Sequence, residues 1–167
     1  MTYILHLETA TKACSVALSK DGKLVALKEE QEEGYSHGEK LTLFIENVLH
    51  EASIKAKDLS AVCVTSGPGS YTGLRIGAAT AKGLCYALKI PLIAIDSLTV
   101  LAEIGMEKHP NMNLCPVIDA RRMEVYNAIY SSDGAQLKKI SADIIDEDSY
   151  RSFEPFVYFG DGAAKLQ

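Results

Sequence analysis

Residues 61–95 read AVCVTSGPGSYTGLRIGAATAKGLCYALKIPLIAI. The short apolar run Ala61–Thr65 is a buried strand by length and β-branched content. Ser66-Gly67-Pro68-Gly69-Ser70 is a turn that neither a helix nor a strand can cross. Residues 71–89 then recur at helical spacing until Ile90-Pro91, where the residue before proline is pushed out of the helical region. Leu92–Ile95 is a second buried strand. A strand, a glycine turn, a long helix and another strand make an α/β unit.

The helix in this unit has two weakly polar sides. Leu74, Ala78, Ala81, Cys85 and Leu88 form one, and Gly73, Gly77, Thr80, Leu84 and Ala87 form a second of mostly small residues. Arg75, Lys82 and Lys89 lie on a stripe between them. A helix apolar on two sides is expected to be covered on both, the first side by its own sheet. The second is open to two readings: packing against another helix of the same chain, or a subunit interface. Glycine inside a helix costs about 1 kcal/mol relative to alanine, so Gly73, Gly77 and Gly83 imply a compensating close contact.

Outward toward the N-terminus, Tyr3–Glu8 reads as a central strand. Cys14–Ser19 and Leu24–Lys28 alternate about Asp21-Gly22, a hairpin signal. Residues 36–53 switch to helical period through Leu41, Phe44, Ile45, Val48, Leu49 and Ala52, with Ser36 and Glu39 as a capping box. Toward the C-terminus, Asp96 or Ser97 caps a helix to about Ile104, and His109-Pro110-Asn111 is a linker. Leu114–Asp119 and Glu124–Tyr130 are strands, Lys139–Ile144 a third, Asp146–Arg151 a short helix and Phe156–Phe159 a last strand entering Gly160-Asp161-Gly162. The order βββαβαβα, a linker, then ββ(β)αβ is an α/β layout with a mixed sheet that restarts once. It predicts an N-terminal domain over 1–107 and a second over 111–167.

Composition removes several classes of function. No apolar run approaches the ~20 residues that span a bilayer, and the start of the chain has neither the basic region nor the cleavage site of a signal peptide. The net charge of the 167-residue chain is −5, and its lysines and arginines are scattered among acids. A direct grip on nucleic acid is therefore not expected. The four cysteines, Cys14, Cys63, Cys85 and Cys115, lack the close pairing of a zinc site and read as reduced, buried thiols of a cytoplasmic protein.

Candidate chemistry is sparse. The TSGPGSYTGLR turn precedes a helix N-terminus, where anions are favoured. It lacks the lysine of a Walker loop, so a phosphate loop and a rigid corner are both open. No HExxH or nucleophile elbow is present. His37, beside the cap of its helix, is the one histidine singled out. The charge-dense string Asp119-Ala120-Arg121-Arg122-Met123-Glu124 suits an anion, a partner or internal ion pairs.

These motifs together resemble one family. LETATKACSVAL, YSHGEKLTLFIENVL, SGPGSYTGLRIGAATAKGLCYALKIPLIAIDSL and IDARRMEVYNAIY are similar to TsaB, also called YeaZ, over Tyr3 to about Tyr130 and again at FGDGAAK. The resemblance implies an actin-like ATPase (ribonuclease H-like) fold of two related α/β domains, with mixed sheets flanked by helices. It also implies further C-terminal helices in the second domain, which this chain is short of. TsaB is similar in turn to the catalytic subunit TsaD, whose two metal-holding histidines fall here on Ser97 and Leu101; no catalytic or metal-binding residue is therefore expected. The phosphate hairpin of such folds matches Glu8-Thr9-Ala10-Thr11-Lys12, without its glycine and with glutamate for aspartate. A weak ATP or ADP site on Thr9, Thr11, Gly160 and Gly162 follows at most, and no cofactor is required.

The resemblance thus implies a non-catalytic scaffold subunit that pairs with TsaD, with TsaE as a third partner, in making N6-threonylcarbamoyladenosine on tRNA. Contact with tRNA would run only through the complex, and the chain alone would form a homodimer. The pairing surface is expected on the 36–53 and 71–89 helices, at His37, Leu41, Ile45, Gly73, Arg75, Gly77, Thr80 and Leu84. Two other readings stand beside it: an active glycoprotease-like hydrolase or kinase, and a nucleotide-binding regulator.

Overall fold

The computed structural model describes residues 1–31, 37–146 and 148–166, together forming two compact units, Met1–Ile95 and Asp96–Gln167. The first opens with β1 (Tyr3–Glu8), β2 (Ala13–Lys20) and β3 (Lys23–Gln31), an antiparallel meander. Asp21 and Gly22 both take positive φ, 49° and 81°, as the two-residue hairpin signal requires. α1 (His37–Glu51) leads to β4 (Ala61–Thr65), and α2 (Tyr71–Leu88) to β5 (Leu92–Ile95). β4 lies parallel to both β1 and β5, giving the order β3-β2-β1-β4-β5. Leu5, Leu7, Val16, Leu18, Val62 and Val64 point to one face, where Leu41, Ile45 and Val48 of α1 and Ala81 and Cys85 of α2 close the core. The Ser36 cap lies outside the described residues.

The second unit contains α3 (Ser97–Lys108), β6 (Asn113–Asp119), β7 (Val125–Tyr130), β8 (Gln136–Asp143) and β9 (Phe156–Phe159), with sheet order β8-β7-β6-β9. β6 is antiparallel to β7 and parallel to β9, and β7 is antiparallel to β8. This repeats β1, β2, β3 and β4, so the restart read from the sequence is a duplicated topology. The boundary differs from the expected 107/111. Leu98 and Ala102 of α3 pack with Leu114, Ile118, Ala128 and Tyr130 of the second sheet, so that helix belongs to the second unit. The opposite face of the sheet buries Cys115, Val117, Val125 and Ile129 under Tyr150, Phe153, Phe156 and Tyr158.

The short helix expected over 146–151 is instead a turn followed by a 3-10 segment at Arg151–Phe153. The Asp146 carboxylate accepts the Asp148 N–H at 3.1 Å and the Ser149 hydroxyl at 2.7 Å. Such local side-chain bonds compete with a helix ladder.

Candidate functional site

The turn after β1 is closed by its own chain. The Glu8 carboxylate accepts the Ala10 N–H at 2.6 Å, and the Thr11 hydroxyl accepts the Ala13 N–H at 3.3 Å. The glycine loop before α2 seats on the same turn, with the Ser70 N–H donating to the Ala10 carbonyl at 2.6 Å. A Cβ at Gly69 would lie 2.2 Å from that carbonyl oxygen. The loop is therefore a rigid corner, with the Ser70 hydroxyl accepting the Gly73 N–H as the cap of α2.

Thr9 is fully buried and its hydroxyl makes no hydrogen bond. A Cβ at Gly77 would sit 2.3 Å from that oxygen, so Thr9 occupies the space that glycine leaves on α2. Gly160 and Gly162, in the second unit, are spent similarly on the end of β6. Added Cβ atoms there would meet the Val117 carbonyl oxygen at 2.2 Å and the Ile118 carbonyl carbon at 3.0 Å. Thr9, Gly160 and Gly162, expected toward a nucleotide, thus pack against their own units.

On α3, Ser97 is buried with an unpartnered hydroxyl and Leu101 joins the core of its unit. Asp96 is the cap, accepting the Thr99 N–H and hydroxyl at 2.7 Å each. Among the described residues no group of three His, Cys, Asp or Glu is placed to hold a metal ion.

The Asp119–Glu124 string turns on Arg121 and Arg122, both at positive φ (69° and 49°). Asp119 accepts the Arg121 N–H and the Lys165 ammonium, each at 2.6 Å, while its own N–H donates to Asp161 at 3.0 Å. The carboxylate at the base of the turn is thus consumed internally, and both guanidiniums are exposed.

The expected pairing surface needs correction. Leu41 and Ile45 are core residues, and Gly73 and Gly77 lie on the buried side of α2 with Ala81 and Cys85. Thr80 is half-buried, and Leu84, also half-buried, packs against the same core. The small-residue side of α2 therefore faces its own sheet, because Thr9 fills the gap. The helix has one buried arc, and Arg75 and Lys82 stand within the exposed one. His37 opens α1, and its side chain lies outside the described residues.

The surface that is open keeps Arg75 of the expected set and otherwise consists of other residues. On α2, Tyr71, Thr72, Arg75, Ala79, Lys82, Gly83 and Tyr86 are exposed. Tyr86 is 89% accessible, and Arg75 stacks 3.7 Å over the ring of Tyr71, which is 65% accessible. A Cβ at Gly83 would meet nothing within 4 Å. On α1, Glu39, Leu43, Glu46 and His50 form one exposed stripe, with Leu43 56% accessible. Gly38, at the start of α1, is 3.8 Å from Ile76 of α2 when a Cβ is placed on it, so the stripes lie on neighbouring helices. The sequence signal for them is the spacing 71, 75, 79, 82, 86, a row of aromatics, cations and one alanine.

Comparison with known proteins agrees with this architecture. The family model described as TsaD, tRNA N6-adenosine threonylcarbamoyltransferase, matches residues 31–154. The tRNA threonylcarbamoyladenosine biosynthesis protein TsaB of Haemophilus influenzae is 36% identical over 123 residues, covering 74% of this chain and 51% of that protein. TsaB of Escherichia coli is 35% identical over 130 residues, covering 78% and 55%. The chain thus spans about half the length of these curated relatives. YeaZ from Pseudomonas aeruginosa superposes with a TM-score of 0.78 at 29% identity, over 86% of this chain and 68% of that one. Component A of (R)-2-hydroxyglutaryl-CoA dehydratase from Acidaminococcus fermentans, at 16% identity and a TM-score of 0.52 over 86% of this chain and 48% of its own, shares the fold alone. The duplicated mixed sheet is the actin-like ATPase fold, and the chain belongs to the TsaB (YeaZ) family of tRNA threonylcarbamoyladenosine biosynthesis proteins.

Proposed function

We propose that this protein is a cytoplasmic, non-catalytic subunit that pairs with a TsaD-type catalytic subunit and supports transfer of a threonylcarbamoyl group to N6 of adenosine in tRNA. TsaE is the third partner, and no cofactor of its own is required. The observation that carries this reading is the exposed α1–α2 face. Tyr86, Tyr71 and Leu43 offer apolar area, and the charges around them find no ion-pair partner among the described residues. Exposed aromatic side chains flanked by charge are the usual composition of a binding patch. The chemistry-bearing positions point the same way. Ser97 and Leu101 stand where the catalytic relative has histidines, and leucine offers no lone pair to a metal. Ala10, Gly69 and Ser70 already contact one another where a phosphate hairpin would approach its ligand. No helix among the described residues is long and apolar enough to cross a membrane.

The test is reconstitution of tRNA modification from TsaD, TsaE and the adenylate-forming enzyme, with and without this chain. Modification is expected to depend on the chain while the isolated chain turns over no ATP. Equal modification without it, or ATP or peptide hydrolysis by the chain alone, overturns the reading.

A further inference from the structure

The duplicated topology contains the same crossover twice. β3 and β4 lie three strand spacings apart in the first sheet, as β8 and β9 do in the second, about 14 Å in each case. The connection must therefore cross one face of its sheet. In the first unit α1 makes the crossing, a 15-residue helix with its own hydrogen-bond ladder and with Leu41, Ile45 and Val48 in the core. In the second unit residues 148–155 make it, with no more regular structure than the three-residue 3-10 turn Arg151–Phe153.

This strap closes the face that buries Cys115, Val117, Val125 and Ile129, using the rings of Tyr150 and Phe153. Its two ends are tied differently. Toward β9, the Phe153 carbonyl accepts the Asn113 side-chain amide at 2.8 Å and the Pro155 carbonyl accepts the Asn113 N–H at 3.1 Å. Toward β8 the tie is one side chain. The Tyr150 hydroxyl donates to the Asp143 carboxylate, and the Lys138 ammonium lies 5.0 Å from the Tyr150 ring centroid. The Phe153 N–H, donating to the Tyr150 carbonyl at 2.8 Å, closes a turn within the strap and does not reach the sheet. Tyr150 also sits at φ 67°, in the left-handed region that a bulky side chain rarely adopts. Such a conformation persists only while its surroundings hold it, so the closed strap is strained at the residue that fastens it.

We propose that residues 148–155 are a releasable strap, hinged at Asn113 and fastened at Tyr150, that lifts off the second sheet while the sheet stays folded and so bares the apolar face around Cys115. Opening relieves the Tyr150 backbone and breaks few backbone hydrogen bonds, the character of a local opening of low free energy. α1 has no such fastener to lose, because its ladder holds it as one piece. The duplication thus pairs a fixed cover with a movable one. With the strap shut, burial pushes the Cys115 thiol up to about 12 and keeps it unreactive. With the strap open, the same thiol meets solvent and reports the event.

The experiment uses the full reduced chain in native buffer at neutral pH, alkylated with N-ethylmaleimide, each cysteine being followed by mass spectrometry of its peptide. Cys115 is 0% accessible and Cys14, in the first unit, 2%, so burial alone ranks Cys115 as the slower. The strap predicts the reverse, with Cys115 alkylated about tenfold or more faster than Cys14. That rate is expected to change little in low urea, since a strap exposes little new surface. Tyr150→Phe keeps the ring and removes the fastening hydroxyl. It is expected to speed Cys115 alkylation by about tenfold, the change that a lost hydrogen bond to a charged group carries, and to leave Cys14 unchanged. Tyr158→Phe, on the same face, is the control and is expected to alter neither rate. Cys115 reacting no faster than Cys14 overturns the proposal. So does a Cys115 rate that climbs steeply with urea, which would mean that the whole second unit opens; both readings come from the wild type and stand even where a variant fails to fold. A folded Tyr150→Phe that reacts like wild type, or a Tyr158→Phe that accelerates as much, removes Tyr150 as the fastener and overturns it equally.

Discussion

Two clusters of charge in this molecule are treated in opposite ways. On β7 and β8 the Asp143 carboxylate accepts the Lys138 ammonium at 2.9 Å, the Ser141 hydroxyl at 2.7 Å, the Asn127 amide at 3.1 Å and the Tyr150 hydroxyl. Lys138 also donates to the Asn127 side-chain oxygen at 2.9 Å and lies 5.0 Å from the Tyr150 ring centroid. Both charges of this cluster, Asp143 and Lys138, are spent inside the unit. On α1 and α2, Glu39, Glu46 and Lys82 have no ionic partner among the described residues. A partly buried carboxylate left unpaired is costly, whereas an exposed one is cheap until something covers it. Charges that hold the fold are satisfied already; those on the exposed helix stripes are left to solvent or to the proposed partner.

The largest expected effect tests whether the glycine side of α2 belongs to the fold or to a partner. Gly77→Val places a branched side chain where Thr9 already stands, 2.3 Å from the first added carbon. Thr9 is fully buried and β-branched, so it has no room to swing away. Overpacking of this kind costs about 1–3 kcal/mol or more, and a domain of this size loses roughly 4–8 °C of melting temperature per kcal/mol. Thermal unfolding of the variant is expected to show such a drop. A variant that melts like wild type but no longer pairs would return Gly77 to the interface.

That glycine also shows where the sequence stops being legible. Strand and helix limits were readable where turns, caps and prolines punctuate them locally: Asp21-Gly22, Ser70, Asp96 and Pro91 all act where expected, whereas α3 runs on to Lys108, past the expected end near Ile104. The actin-like duplication was readable from the restarted hairpin and the family resemblance. Which side of α2 faces inward was not, because small residues suit a close sheet or a close partner equally well. The deciding atom belongs to Thr9, far away in sequence. The same limit hid the Asp143 cluster, whose members Asn127, Lys138, Ser141 and Asp143 sit on two strands at spacings that follow no single period. It also hid the place of α3, whose apolar side could have served either sheet.

The Asp143 cluster gives the next effect in size. Asp143→Asn removes the charge that faces Lys138 and leaves that ammonium, half-buried beside Asn127, without its counter-ion. Hydrogen bonds to charged groups contribute about 1.5–3 kcal/mol, and urea unfolding is expected to show a loss in that range. Replacing Lys138 by Met in the same chain is expected to recover part of it, since removing both charges costs less than stranding one. No recovery in the double variant would mean that packing, not charge, holds β8.

The same carboxyl makes the fold acid-sensitive. Burial works to raise the Asp143 pKa, but the Tyr150, Lys138, Ser141 and Asn127 donors overcome it and hold it well below the usual carboxylate range. A group whose folded pKa is depressed stabilises the fold above its unfolded value and loses that contribution as pH falls through the folded one. Stability of the wild type is therefore expected to decline from about pH 4 downward, and Asp143→Asn to flatten that decline. An equally steep decline in the variant would place the acid sensitivity elsewhere.

The smallest effect on folding is expected where the charges are unspent. Tyr86 is almost fully accessible on an exposed helix face, and Tyr86→Ser changes little there beyond helix propensity, so folding stability should shift by no more than about 0.5 kcal/mol. Its ring nevertheless lies on the same exposed arc as Arg75 and Ala79, and truncating an aromatic anchor that a partner buries commonly costs about 2 kcal/mol of binding. A variant that melts like wild type yet pairs far more weakly is the converse of Gly77→Val. If instead Tyr86→Ser pairs normally, the apolar centre of the contact moves to Leu43 and Tyr71.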